Sequence, residues 1–219
     1  MSAINMSENT PIDPALSEPA RSLISKIRSA EAVVGVIGLG YVGLPLVEAA
    51  HARGFPVIGF DIDHAKVESL NNAIPYLSHL GRGLYEQLAR SDRFTPTSDP
   101  GDLVRADIFV LCVPTPIGLQ DEPDLWYVEQ SVETVGRVLR RGQLIVLEST
   151  TYPGTTRDVV APILERCASD RGLNLMHGTD YFVAYSPERE DPGRETMDTA
   201  RIPKLVGGLG DAGGPLARA

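Results

Sequence analysis

Apolar positions along this chain switch between two periods. Residues 33–37, 56–61, 107–113, 144–148 and 180–185 form short, nearly continuous apolar runs rich in valine and isoleucine. Runs of this kind predict strands buried on both faces. Between them the spacing lengthens to three or four, predicting helices over 42–53, 64–71, 83–91, 124–139 and 154–167, with a brief one at 100–105. In 124–139, Val128, Val132, Val135 and Leu139 share one face. Gly54 follows the first of these helices, at the position where a left-handed residue ends a helix. Weaker signals place short strands at 94–96 and 203–209. Strand–helix alternation with short connectors predicts an α/β fold, a doubly wound parallel sheet covered on both sides.

The ends read differently. Residues 1–19 are polar and proline-broken and predict a disordered tail. Residues 20–31 carry Leu23, Ile24 and Ile27 at helical spacing, an amphipathic helix docked on the domain of residues 32–209. After Glu188 the pattern degrades, and 210–219, rich in glycine, predict an unfinished tail. A length of 219 residues suits one sizeable domain with tails.

Charge narrows the partners. Twenty-nine acidic against twenty basic residues give a net charge of −9, which opposes nucleic acid. There is no apolar run of the ~18 residues that span a bilayer, and the first residues lack a signal-peptide pattern. Neither a membrane nor secretion is expected, which leaves the cytoplasm. Two cysteines and four scattered histidines suggest neither a disulfide framework nor a metal site.

The chemistry concentrates after the first strand. Gly38-Leu39-Gly40-Tyr41-Val42-Gly43 fits G-x-G-x-x-G, leaving a strand and opening a helix. In that setting Gly38 permits the tight turn, Gly40 lets a pyrophosphate approach the backbone, and Gly43 lets helix and strand pack closely. The helix N-terminus offers unpaired amides and partial positive charge, so an acidic protein can hold a phosphate without basic side chains. The second strand ends at Asp61, 18 residues after Gly43, placed to accept from an adenosine ribose diol. Its charge opposes a 2′-phosphate and favours NAD over NADP. Lys66, five residues on, is a cation that could touch a phosphate.

Other strand ends carry further candidates. Val113-Pro114-Thr115-Pro116 makes an extended loop, and residues 148–155, ESTTYPGT, cluster hydroxyls before a helix. Thr155 and Thr156 read as helix caps; Thr150 stands evenly between capping and function. Residues 186–193, SPEREDPG, gather charge where a substrate would lie. Cys112 sits in an apolar strand as a small hydrophobe, Cys167 has no activating neighbour in sequence, and His79 and His177 read as surface residues.

Together the turn 36–45 (VIGLGYVGLP), the VPTP loop, ESTTYPGTT and SPEREDPG resemble, in order and spacing, the UDP-glucose/GDP-mannose dehydrogenase family. The last two segments resemble its UDP-N-acetylglucosamine 6-dehydrogenase branch. The resemblance runs from about Leu23 to Gly208 and implies a Rossmann-like NAD-binding domain. It implies oxidation of a nucleotide-sugar C6 alcohol to a carboxylate with two NAD⁺, through an enzyme-bound thiohemiacetal and thioester. Thr150 matches a threonine that helps hold a catalytic water and also borders the cofactor. Glu188 matches a glutamate active in acid–base work during hydrolysis. Gly38, Gly40, Tyr41, Val42 and Gly43 match the cofactor turn, Asp61 and Lys66 its adenosine end, and Val113, Pro114 and Thr115 the loop beside it. Where UDP-glucose enzymes carry a second glutamate, this chain has Pro192, and Glu190 or Asp191 are the alternatives. The family's nucleophilic cysteine and much of its sugar site lie in a C-terminal part beyond these residues. The resemblance therefore implies a segment that binds NAD, needs that part for a nucleotide-sugar substrate, and lacks turnover alone. A homo-oligomer is expected only of a full-length enzyme. A non-catalytic NAD-responsive or assembly module and a β-hydroxyacid dehydrogenase-like protein are the competing readings; ESTTYPGTT and SPER argue against the latter.

Overall fold

Strand β1 (Val34–Ile37) is buried along its whole length, with Val34 and Val36 on one face and Ile37 on the other. Strands β2 (Val57–Phe60), β4 (Ile108–Leu111), β5 (Leu144–Leu147) and β6 (Phe182–Tyr185) are similarly apolar, and β3 (Phe94–Thr97) and β7 (Gly207–Leu209) flank them. The computed structural model describes residues 11–118, 122–187 and 205–219.

The seven strands lie in the order β3-β2-β1-β4-β5-β6-β7, parallel except for β7, which runs antiparallel to β6. The chain winds outward from β1 in one direction and from β4 in the other. This reversal opens a crevice beyond the carboxyl ends of β1 and β4, where ligands of doubly wound sheets bind.

Helices cover both faces. Helices α5 (Trp126–Gly136) and α6 (Ala161–Asp170) pack Val128, Val132 and Leu164 against Phe109, Leu111, Ile145 and Leu147. On the opposite face, α2 (Gly43–Ala52), α3 (His64–Asn71) and α4 (Gly81–Ala89) bury Leu44, Val47, Leu70, Leu84 and Leu88 against Val34, Val36 and Val57. Beside them, α1 (Glu18–Arg28) and α7 (Gly210–Arg218) cover Leu144, Val146, Phe182 and Ala184. Each fully buried valine or leucine of these faces stabilises the fold by about 1.5–3 kcal/mol.

Asp107, just before β4, joins three parts of this framework. Its carboxylate accepts from Lys26 of α1 at 3.0 Å, from Arg140 at 2.9 Å and from the Val33 amide at 3.1 Å. Burial alone pushes this carboxyl up, but the bonds from Arg140, Val33 and Lys26 outweigh it and hold the group below the usual carboxylate range.

Three expectations change. The predicted tail 210–219 is α7, and the strand beside it is antiparallel. The glycines there serve close packing: a Cβ on Gly208 would lie 1.9 Å from the Gly214 nitrogen, and one on Gly213 would lie 2.5 Å from the Val183 carbonyl oxygen. The helix predicted over 154–167 opens as a π-helical turn, Thr156–Val160, before α6. Pro162 supplies no amide to the carbonyl four residues back, so the register widens there. The first helix starts at Glu18, within the stretch expected to be tail, with the Ser17 hydroxyl accepting from the Ala20 amide at its N-terminus. Residues 1–10 of that stretch lie outside the described residues.

Candidate functional site

The strand register sets out a row of residues. Ile37 pairs with Phe60 and with Leu111, Leu111 with Leu147, and Leu147 with Tyr185. One residue beyond each strand come Gly38, Asp61, Cys112, Glu148 and Ser186 along the carboxyl edge. Backbone bonds continue to that row, from Cys112 N to Ile37 O at 2.8 Å and from Ser186 N to Leu147 O at 3.0 Å.

The glycine turn occupies its middle. Gly38 has φ +92°, and a Cβ there would lie 2.8 Å from the Cys112 carbonyl oxygen. Gly43 is tighter, since its Cβ would come within 1.8 Å of the Gly38 carbonyl oxygen as α2 begins. Gly40 is the opposite case, because a Cβ there meets nothing within 4 Å. The turn thus packs on its inner side and is clear on its outer one. Among the described residues the amides of Gly40, Tyr41 and Val42 have no acceptor. Three free amides around an unobstructed Gly40, at the start of a helix, suit a dinucleotide pyrophosphate.

Asp61 is 6% exposed and tied to the turn. Its Oδ2 accepts from the Leu39 amide at 2.8 Å and from Lys66 Nζ at 2.9 Å, and its Oδ1 from the Asp63 amide at 2.9 Å. Oδ1 keeps capacity for a further donor, as an adenosine ribose diol requires. Lys66, the cation of uncertain use in the sequence, is paired with Asp61. Tyr41 and Ile62 are exposed beside the turn and the second strand end.

The other predicted residues fall on neighbouring loops. Val113 and Thr115 are partly buried and Pro114 is exposed. Beyond the loop Ile117 bridges antiparallel to Pro123, and the Asp124 amide donates to the Pro116 carbonyl at 2.8 Å. Ser149, unassigned in the sequence, donates its hydroxyl to the Val113 carbonyl at 2.8 Å, so it fastens the VPTP loop to the end of β5. Thr150 is exposed, next to the buried Glu148 and Ser149. Glu188, Glu190, Asp191 and Pro192 lie outside the described residues. Thr155 does not cap: its hydroxyl and its amide both donate back to the Tyr152 carbonyl, at 2.8 and 3.3 Å, in the turn before α6.

Tyr76 is the residue that sequence reasoning missed. Its hydroxyl donates to the Leu39 carbonyl at 2.8 Å, across 37 residues of chain. No sequence pattern marks such a contact.

Both cysteines serve packing. Cys112 is buried beneath the turn, and Cys167 lies so close to α5 that a Cβ on Gly136 would be 2.7 Å from its sulfur. Burial pushes the Cys167 thiol up, away from thiolate character. His79 is exposed as expected, whereas His177 is only partly exposed. Its ring meets Tyr181 edge-on at 5.5 Å, and its Nε2 and the Tyr181 hydroxyl are buried without a hydrogen-bond partner among the described residues. Aromatic pairing with Tyr181 draws it inward.

Two surface depressions, about 420 and 260 Å³, lie between α5 and α6, lined by Glu133 and Arg166 among others. Neither touches the glycine turn. The row and its amides, not those grooves, stand at the sheet's reversal point, where doubly wound sheets bind their ligands. Among the described residues no three His, Cys, Asp or Glu side chains gather as metal ligands, and no helix is long and apolar enough to cross a membrane.

Comparison with known proteins agrees with this geometry. Residues 32–216 match the model of the UDP-glucose/GDP-mannose dehydrogenase family, NAD binding domain. The chain is 36% identical over 180 residues to a UDP-N-acetyl-D-glucosamine 6-dehydrogenase of Salmonella typhi, covering 81% of this chain and 40% of that protein. It is 34% identical over 186 residues to a UDP-N-acetyl-D-mannosamine dehydrogenase of Pyrococcus horikoshii, covering 84% and 43%. Among solved structures, an NDP-N-acetyl-D-galactosaminuronic acid dehydrogenase from Methanosarcina mazei superposes with a TM-score of 0.79 at 30% identity, covering 93% of this chain and 44% of that one.

Proposed function

Because the chain belongs to the UDP-glucose/GDP-mannose dehydrogenase family, as its NAD-binding domain, we propose that it holds the cofactor in a nucleotide-sugar 6-dehydrogenase acting on UDP-N-acetylglucosamine. The chain spans about 40% of the curated relatives it matches, so sugar oxidation is assigned to it together with a further substrate-binding part. The carrying observation is the glycine turn at the sheet's reversal point, with free amides at Gly40–Val42 and Asp61 fixed beside it.

When bound, NAD⁺ accepts a hydride from the sugar's C6 carbon, and two such oxidations take the alcohol to a carboxylate. This chain's residues bind and orient. The amides of Gly40, Tyr41 and Val42 meet the pyrophosphate, and Asp61 accepts from the adenosine ribose. Lys66 holds Asp61 in place, and the Val113–Thr115 loop, fastened by Ser149, borders the nicotinamide end. Thr150, exposed at the end of β5, orients a water for hydrolysis, and Glu188 takes its proton. The resemblance in ESTTYPGTT and SPER supports these two roles.

Isothermal titration tests the cofactor assignment. Micromolar to millimolar binding of NAD⁺, weaker binding of NADP⁺, and loss of binding in Asp61→Ala are expected; no NAD⁺ binding by the unsubstituted chain overturns it. Joined to the substrate domain of a relative, the chain should form two NADH per UDP-N-acetylglucosamine. No NADH from that chimera, while the relative itself turns over, refutes the chain's role as the cofactor half. Mixed with both substrates on its own, the chain is expected to form no NADH.

A further inference from the structure

We propose that Tyr76 is a positioning residue for the cofactor's pyrophosphate, acting through the Leu39 carbonyl to aim the Gly40 amide. The proposal rests on the cofactor reading above and adds to it a residue outside the glycine motif and the strand ends.

Leu39 is held on three sides. Its amide donates to Asp61 Oδ2 at 2.8 Å, its carbonyl accepts from the Tyr76 hydroxyl at 2.8 Å, and its side chain is fully buried. That side chain lies so close to β2 that a Cβ on Gly59 would be 3.0 Å from Leu39 Cδ2. The consequence follows from peptide planarity. The Leu39 carbonyl and the Gly40 N–H belong to one rigid trans peptide group and point in opposite directions. A bond that fixes the carbonyl therefore fixes the amide, turned toward the open side of the turn. Without it, a peptide bordering a glycine is free to rotate, since Gly40 tolerates either sign of φ. Donation to the carbonyl also polarises the peptide and strengthens its N–H as a donor.

Tyr76 is itself braced. Its ring stands edge-on to Tyr85 of α4, centroids 5.5 Å apart at 79°, and the Tyr85 oxygen accepts from the Leu77 amide at 2.9 Å. Burial, followed by Tyr85 and the nearby charges of Asp61 and Asp63, drives the Tyr76 hydroxyl far above its ordinary range. The phenol keeps its proton, so donation runs one way. Tyr76 touches no phosphate; its effect passes through one peptide group.

The variant Tyr76→Phe removes the hydroxyl and keeps the ring against Tyr85. Titration should show NAD⁺ binding weakened about three- to tenfold, the range of one lost hydrogen bond. Adenosine, which lacks the pyrophosphate, should bind unchanged, and the Gly40 amide resonance should move. Unchanged NAD⁺ affinity, or equal weakening for NAD⁺ and adenosine, overturns the proposal, since purely structural damage does not separate the two ligands. The unsubstituted chain gives a second measurement: NAD⁺ should slow amide exchange at Tyr76 and Leu77 as well as in the glycine turn. Absence of that slowing also overturns it. Failure of the unsubstituted chain to bind NAD⁺ sinks the cofactor assignment together with the proposal, whereas retained binding with an indifferent Tyr76→Phe sinks the proposal alone.

Discussion

Two glycines of the same motif, Gly40 and Gly43, should respond in opposite ways to one added methyl group. In Gly43→Ala the new Cβ falls 1.8 Å from a backbone oxygen that no side-chain rotation can relieve. A stability loss of about 3 kcal/mol or more is expected, together with loss of cofactor binding. In Gly40→Ala the Cβ enters open space, so the free chain should keep its stability within about 1 kcal/mol. It should nevertheless lose roughly tenfold in NAD⁺ affinity, because the methyl occupies the face a phosphate approaches. Thermal melts and titrations of both variants check the contrast; equal loss of stability in both refutes the division of the turn into packed and open sides. The motif's existence was legible in the sequence, since spacing, preceding strand and following helix agree. Which glycine is packed and which is open was legible only as a general rule of such turns; here the closeness of the Gly38 carbonyl to Gly43, and the open space at Gly40, decide it. Tyr76 was not legible at all, because its partner is a carbonyl, and carbonyls carry no residue signature.

At the scale of elements, the sequence identified the central strands well because β-branched apolar runs have few other uses. The C-terminal stretch misled for a physical reason. Glycine and proline ordinarily weaken helices, yet in α7 the glycines permit β7 and the helix to fold onto each other. Tertiary contact there outweighs local propensity. Leu216 shows where the compensation lies, being 1% exposed in the cluster that joins α7 to Leu23 and Ile24 of α1. Leu216→Ala is expected to cost about 2–4 kcal/mol, measured by chemical denaturation. A change below about 0.5 kcal/mol would mean that α7 contributes little beyond a surface cover. The departure from a uniform helix at Thr156–Val160 has a comparable origin, since one missing amide at Pro162 is invisible to hydrophobic periodicity.

Across the whole molecule, stability should fall in two steps as pH drops. Burial lowers the pKa of His51, with Arg93 adding to the effect and Asp92 opposing it. It also lowers that of His177, against the opposing charge of Glu165 on α6. Below the unfolded value of about 6.5 the unfolded chain takes up protons that these folded histidines refuse, so stability declines from there. His177→Phe should flatten this first step, seen as denaturation midpoints at pH 7.5 and 5.5 that lie closer together than in the unsubstituted chain. Asp107 governs the second step. Its folded pKa is depressed, so its contribution is present above the unfolded carboxyl value of about 3.9 and is lost as pH falls through the lower folded one. Asp107→Asn, which breaks the links to Arg140 and Lys26, should cost about 1–3 kcal/mol at neutral pH and remove that acid-side decline.

The order of the strands has one more consequence, for how the chain behaves in a crowd. The sheet terminates in β3, four residues long with Pro96 in its middle, and in β7, three residues long and two of them glycine. Proline cannot donate to a neighbouring strand, and so short a glycine segment gives a visiting strand little to grip. The strands richest in valine, isoleucine and leucine are thus kept in the interior. Both rims of the sheet discourage recruitment of a second chain into a growing fibril, and the molecule carries its own protection against self-templating.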